Sequence, residues 1–261
     1  MNDAEHLRAS SSSSTRATTP VLPRWTYSEL LSIYAEFLVV SVHTILFERR
    51  IYPAESFFLA RKYNYPVRQS RHPEVCEWVR NAVSACVEQM RTGEVSRISV
   101  VLISVSNVPL ERVVFDVSGF PKIPLRDQDR DLKNIELKRP DMDEQFRVCI
   151  MKLSTMSPML GTLPTDCTFT ITIELNDDAE APTGPTSKWV PAESQPQERD
   201  PLPEVTAASD DGNIAVNGNV KTPPRNGMLP KFNPLRHIYM GPLSFDVWVE
   251  ESKAKEKLPA R

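Results

Sequence analysis

Between Tyr27 and Phe47 so few positions are polar that a helix formed there must be packed around most of its circumference. Leu30, Ile33, Tyr34, Phe37, Leu38, Val42 and Ile45 leave only a narrow polar stripe at Glu29, Ser32, Glu36 and His43. The run is long enough to cross a bilayer, but Glu29, Glu36 and His43 interrupt it, so it reads as a central helix of a globular core. It begins from Thr26 and ends before Tyr52-Pro53, because the residue preceding a proline is driven out of the α region. A helix of this kind needs apolar surfaces on several other elements, and 40% hydrophobic residues in a chain of 261 can supply them.

The rest of the pattern provides those surfaces. A loop or short strand runs through Lys62-Tyr63-Asn64, and a second helix starts near His72, with Pro73 suited to a first turn and Glu74 to the positive end of the helix dipole. Its apolar face is Val75, Val79, Val83, Cys86 and Met90, and Gly93 is placed to end it. Residues 97–105 and 110–117, rich in Val and Ile, predict a hairpin around Ser106-Asn107-Val108-Pro109. Asp141 is positioned to cap a third helix carrying Phe146, Cys149, Ile150, Leu153 and Met156. Residues 167–175 alternate as a strand, with Phe169, Ile171 and Ile173 on one side. In residues 243–251 Phe245, Val247 and Val249 form an inward set, so Asp246 and Trp248 share the outer face. The expected class is α+β, an antiparallel sheet packed against three helices.

Composition sets the boundaries. Residues 1–24 are Ser, Thr and Pro with few apolar groups, and residues 176–220 hold nine acidic and two basic residues; neither can offset the entropy of ordering its backbone. The expectation is a disordered tail at 1–24, an ordered domain at 25–252 holding a mobile acidic loop at about 176–230, and a basic tail at 253–261. The 23 Pro against 8 Gly fit such irregular segments. A formal charge of -3 gives no general attraction to nucleic acid or an anionic membrane.

Recognised chemistry is absent. There is no Gly-rich phosphate loop, no G-x-S-x-G and no H-E-x-x-H, and the pattern implies no cofactor, no metal and no enzyme. Cys76, Cys86, Cys149 and Cys167 form no CxxC pair, which fits a reducing compartment, and Cys86 and Cys149 read as small core residues. Ser10 to Ser14 stand where a secretion signal would need an apolar run.

Several local strings resemble a known family. Residues 34–53, from Tyr34 to Pro53, are similar to the first helix and its exit in HORMA domains of the branch that serves DNA polymerase zeta as a non-catalytic accessory subunit. Lys62-Tyr63-Asn64, His72-Pro73-Glu74, residues 167–170 and Val249-Glu250-Glu251 resemble further stretches of it. The likeness covers residues 27–175 and resumes near Phe232, leaving out the tails and the acidic loop. Spindle-checkpoint and chromosome-axis adaptors share the fold and are the alternative, but Tyr52-Pro53 and His72-Pro73-Glu74 favour the polymerase branch.

The resemblance implies a C-terminal safety belt, here about residues 176–251, closing over a peptide that is added as a strand to the sheet. It implies three partners: a Pro-containing segment of the polymerase zeta catalytic subunit, the C-terminal domain of a Y-family scaffold polymerase, and a second HORMA domain. A nuclear role in translesion synthesis goes with them. By position it assigns Trp78, Tyr52 and Trp189 to the peptide, Phe232, Asp246 and Trp248 to the scaffold polymerase, and Arg147 to self-association. Trp78 stands where the family carries Tyr, Phe232 and Trp248 exceed their counterparts in size, and Asp246 brings a charge.

Overall fold

The computed structural model describes residues 24–133, 137–180, 182, 189–190 and 231–257. The expectations for the N-terminal tail, for most of the acidic loop and for the last residues of the basic tail lie outside them.

Helix α1 (Tyr27–Glu48) opens with a reciprocal cap. The Thr26 hydroxyl accepts from the Glu29 amide at 3.1 Å and the Glu29 carboxylate accepts from the Thr26 amide at 2.9 Å. Its apolar side chains are buried on nearly every side, which makes it the axis of the fold, and the charged ends Glu29 and Glu36 escape to the surface. His43 does not follow them. It was expected on the polar stripe, but it is only 3% exposed, and its Nδ1 has no hydrogen-bond partner among the described residues. Helix α2 (Pro73–Met90) packs against that part of α1.

Burial, and secondarily the charge of Arg80, lowers the His43 pKa from 6.5 to about 4. An unfolded chain takes up this proton below about pH 6.5 while the folded one refuses it until about pH 4, so stability present above pH 6.5 drains away between those values. The expected loss is about 2 kcal/mol by pH 5. Urea unfolding at pH 7.5 and pH 5 should show this difference in the wild type and a much smaller one in His43→Leu; equal slopes in both proteins would exonerate His43.

The segment after α1, where the sequence allows a loop or a short strand, is a hairpin, β1 (Phe57–Lys62) paired antiparallel with β2 (Tyr65–Ser70). Its two-residue turn, Tyr63-Asn64, has positive φ at both positions, 52° and 54°, the geometry whose twist suits a hairpin. A tyrosine rarely accepts such a φ; here its ring is buried against Phe146 at 5.4 Å, which holds it. Helix α2 buries Cys76, Val79, Val83, Cys86 and Met90, with Val75 only half-buried, so the inward row starts one residue later than the sequence suggested.

Strands β3 (Val95–Ile103) and β4 (Pro109–Asp116) form the expected hairpin. Helix α3 (Arg139–Ser154) starts earlier than expected: Lys138 occupies the cap with no side-chain hydrogen bond, Pro140 sits in the first turn, and Asp141 is inside the helix instead of capping it. Strand β5 (Thr168–Leu175) follows, then β6 (Lys231–Met240) and β7 (Leu243–Glu251). The sheet is antiparallel in the order β5-β3-β4-β7-β6.

One sheet face carries Ile98, Val100, Leu102, Val113, Phe115, Phe245, Val247 and Val249, all buried, and α1 lies on it. Phe37 at its centre stacks on Phe146 of α3 with centroids 4.5 Å apart. The three-helix α+β architecture is therefore the one expected. The basic tail begins with a 3-10 turn, Lys253–Lys257, and Lys255 is buried to 7% exposure.

Candidate functional site

Two sites emerge, on opposite sides of the sheet. The first is a cleft of about 590 Å³ between the exit of α1, the N-terminal turn of α2 and the start of β5. Tyr52, Pro53, Val75, Trp78 and Phe169 give it apolar walls, and Ser56, Ser70, His72, Glu74 and Thr168 add polar groups. Tyr52 and Pro53, just past the end of α1, line one side of the cleft, and the second turn of α2 carries Trp78 to the opposite wall. Phe169 joins them: its ring lies edge-on to Trp78 at 4.9 Å and to Tyr52 at 6.4 Å.

Trp78 is 44% exposed, a large apolar surface held at the mouth of a concavity. Strand β5 is an edge of the sheet, so its outer amides and carbonyls have no neighbouring strand among the described residues. Apolar walls beside an open strand edge suit an extended chain with bulky side chains. Of the three aromatics assigned to the peptide, Tyr52 and Trp78 come together here; Trp189 packs half-buried against the core and is not among the residues lining the cleft. Phe169 was read only as a strand residue. Its signal was alternation alone, which cannot separate a core residue from a cleft wall.

The second site is the other sheet face. It is crossed by an ion-pair ladder: Arg97 bonds Asp116 at 3.0 Å and Glu174 at 3.1 Å, while Arg112 bonds Glu250 at 2.8 Å and reaches Glu174. Beside the ladder Trp248 is half-buried, its indole Nε1 donating to Glu250 at 2.8 Å and the Arg97 guanidinium lying 5.7 Å from its ring. Phe232, 57% exposed, packs on it at 5.5 Å. Asp246 shares this face and pairs with His237 at 2.8 Å. All three residues assigned here therefore lie together, and exposed Tyr239 on β6 extends the surface in a way the sequence reading missed. A bulge between Pro234 and Arg236 resets the alternation of β6 and hid that extension.

Arg147 was expected to be exposed and is only partly so. Its guanidinium pairs with Glu144 one helical turn away, and its Nε is buried without a partner among the described residues. Cys86 and Cys149 behave as core residues: burial pushes both thiols up to about 12, the reverse of what a nucleophile needs.

Residues 31–223 match the family model of the HORMA domain. The chain is 30% identical over 227 residues, 87% of its own length and 95% of the other's, to the DNA polymerase zeta processivity subunit of Schizosaccharomyces pombe. It is 29% identical over 147 residues to the mitotic spindle assembly checkpoint protein MAD2B of Homo sapiens, covering 56% of this chain and 66% of that protein. Among solved structures, a chain of the mitotic checkpoint complex shares the fold with a TM-score of 0.58 at 22% identity, covering 85% of this chain and 98% of that one. Caenorhabditis elegans HTP-2 bound to an HTP-3 closure motif does so with a TM-score of 0.53 at 12% identity, covering 91% and 97%.

Proposed function

Because the chain belongs to the HORMA domain family, we propose that it is a non-catalytic adaptor of translesion DNA polymerase zeta. In this reading it clamps a Pro-containing segment of the catalytic subunit in the Tyr52–Trp78–Phe169 cleft and holds the C-terminal domain of a Y-family scaffold polymerase on the opposite sheet face, in the nucleus. The observation that carries it is the pairing of an aromatic cleft with an adjoining strand edge that is unpaired among the described residues. Backbone pairing along β5 supplies affinity tolerant of sequence, and the three rings select rigid apolar residues such as proline. The likeness to the fission-yeast processivity subunit over 95% of its length supports the polymerase assignment over a checkpoint or chromosome-axis role. Self-association through Arg147 of α3 belongs to the same proposal.

Affinity capture from nuclear extract, with partners identified by mass spectrometry, tests the choice of partner: polymerase zeta peptides are expected, and recovery of checkpoint or axis proteins alone would reject it. Trp78→Ala is expected to weaken capture of a Pro-containing peptide by about 2 kcal/mol or more, as for an anchor residue in a desolvated pocket. Its stability should stay close to wild type, since the residue is 44% exposed at the mouth of the cleft, where its ring packs edge-on to Phe169. Unchanged affinity in calorimetric titration would remove Trp78 from the site.

Trp248→Ala is expected to abolish binding of the scaffold polymerase domain while leaving peptide capture intact, since the two surfaces lie on different faces of the sheet. Pull-downs against each partner separate the effects. Loss of both together, or of neither, in a folded protein would reject the two-surface mechanism.

A further inference from the structure

We propose that Lys255 and the C-terminal turn are positioning elements of the peptide cleft, acting through a largely buried cluster of four charges tied to the segments that lead into two of its walls; the proposal rests on the peptide-binding reading above. The cluster joins four parts of the chain. Arg49, at the end of α1, donates from Nε and a terminal nitrogen to the two oxygens of Glu111 on β4, at 2.7 and 2.6 Å. Lys255 donates to the same carboxylate and to Glu251 at 2.7 Å. Both cations also bond the carbonyl of Gly161, at 2.7 Å from Arg49 and 2.6 Å from Lys255. The Gly161 amide in turn donates to Glu251 at 2.8 Å.

Two positive and two negative charges balance, which is what allows them to sit out of water. The side chains of Arg49, Glu111 and Lys255 are 7%, 0% and 5% exposed. For Glu251, burial pushes the carboxyl up, but the hydrogen bonds from Lys255 and Gly161 outweigh it and leave the pKa below its usual value. A Cβ at Gly161 would come within 3.1 Å of the Glu251 carboxylate and 3.5 Å of the Lys255 ammonium, so a side chain there would press on the cluster.

Two walls of the cleft hang from the clipped points. Tyr52 and Pro53 follow Arg49 after a turn in which Arg50 takes φ 52°. Thr168 and Phe169 lie on the strand that the Gly161 loop feeds, and the same loop is tied to α1 by the Ser157 hydroxyl donating to the Glu48 carbonyl at 2.8 Å. Lys255 is the only one of the four charges supplied from beyond the last strand. It gives the C-terminal turn a hold on the spacing between Tyr52 and Phe169 without touching a ligand.

The test substitutes Lys255→Met, which keeps the apolar stem and removes the charge. Peptide dissociation constant, global stability and amide exchange are read in parallel on the full chain. The expected result is about tenfold weaker binding of a Pro-containing peptide, in the range of couplings carried by residues remote from a ligand. Amides of residues 51–53 and 160–169 should exchange faster than those of β3 and β4 by more than the change in global stability explains, and Lys255→Arg should restore part of both. A loss of global stability with peptide affinity and local exchange otherwise unchanged would make the cluster purely structural and overturn the proposal. Wild-type failure to bind any Pro-containing peptide would instead count against the peptide-binding reading, with the exchange data still deciding the positioning claim. If Lys255→Met does not fold, Glu251→Gln, which weakens the bonds to Lys255 and the Gly161 amide along with the exposed 3.9 Å pairing to Lys231, is judged by the same readouts.

Discussion

Phe37→Ala is expected to cost about 3–5 kcal/mol, the range for removing a fully buried phenylalanine that leaves a cavity. Phe37 is 0% exposed and is the ring through which α1, α3 and the sheet meet. It stacks on Phe146 at 17° between planes, meets Phe115 edge-on at 6.1 Å, and leans on Phe245 at 5.6 Å. These neighbours come from three different elements, so no single shift of a helix can refill the space. The loss is a large share of the roughly 5–15 kcal/mol typical of a folded domain. Guanidinium unfolding should show it as a lower midpoint; a cost below about 1.5 kcal/mol would mean that the surrounding rings collapse into the gap.

Glu111→Gln is expected to be comparably damaging, about 3–5 kcal/mol, for an electrostatic reason. The amide is nearly isosteric, so packing is retained, but Arg49 and Lys255 then remain buried with only Glu251 to balance two positive charges. An exposed pair such as Arg24–Asp131, with side chains 78% and 52% exposed, should contribute almost nothing by comparison. Equilibrium unfolding of Glu111→Gln and Asp131→Asn side by side measures the contrast. A cost below about 1 kcal/mol for Glu111→Gln would show that water reaches the cluster and screens it.

Much of the architecture was legible because α1 is apolar on nearly all sides and β7 alternates strictly; both patterns report burial directly. The orientation of Trp248 followed from the same alternation, and the structure has it on the outer face, half-covered by Phe232 and Arg97. His43 was misread because a histidine in a helical pattern looks like a surface residue until the neighbouring helix is placed over it. Asp141 was misread as a cap because Pro140 can open a helix without a side-chain acceptor. The β1–β2 hairpin stayed hidden because its turn lacks glycine and depends on the buried ring of Tyr63, a tertiary constraint. The charge cluster could not be read at all: Arg49, Glu111, Gly161 and Lys255 are far apart in sequence, and each looks like an ordinary surface residue in its own segment. Tyr52 and Trp78 were placed by resemblance, but Phe169, the ring that unites them, needed the fold.

The order of strands has a consequence for how the molecule comes into being. β7 inserts between β4 and β6 and covers an edge synthesised more than a hundred residues earlier. Until it arrives β4 is a bare margin, with Val113 and Phe115 lacking their partners Val249 and Val247, and a nascent chain in that state is open to pairing with another of its kind. So non-local a closure makes completion of the sheet a slow step, governed by the search of the C-terminal hairpin for its slot and not by the fast formation of the helices. Premature termination just before Leu243 would therefore yield a sticky fragment that keeps the helices but lacks β7, with the β4 edge uncovered, a natural substrate for chaperones and proteases.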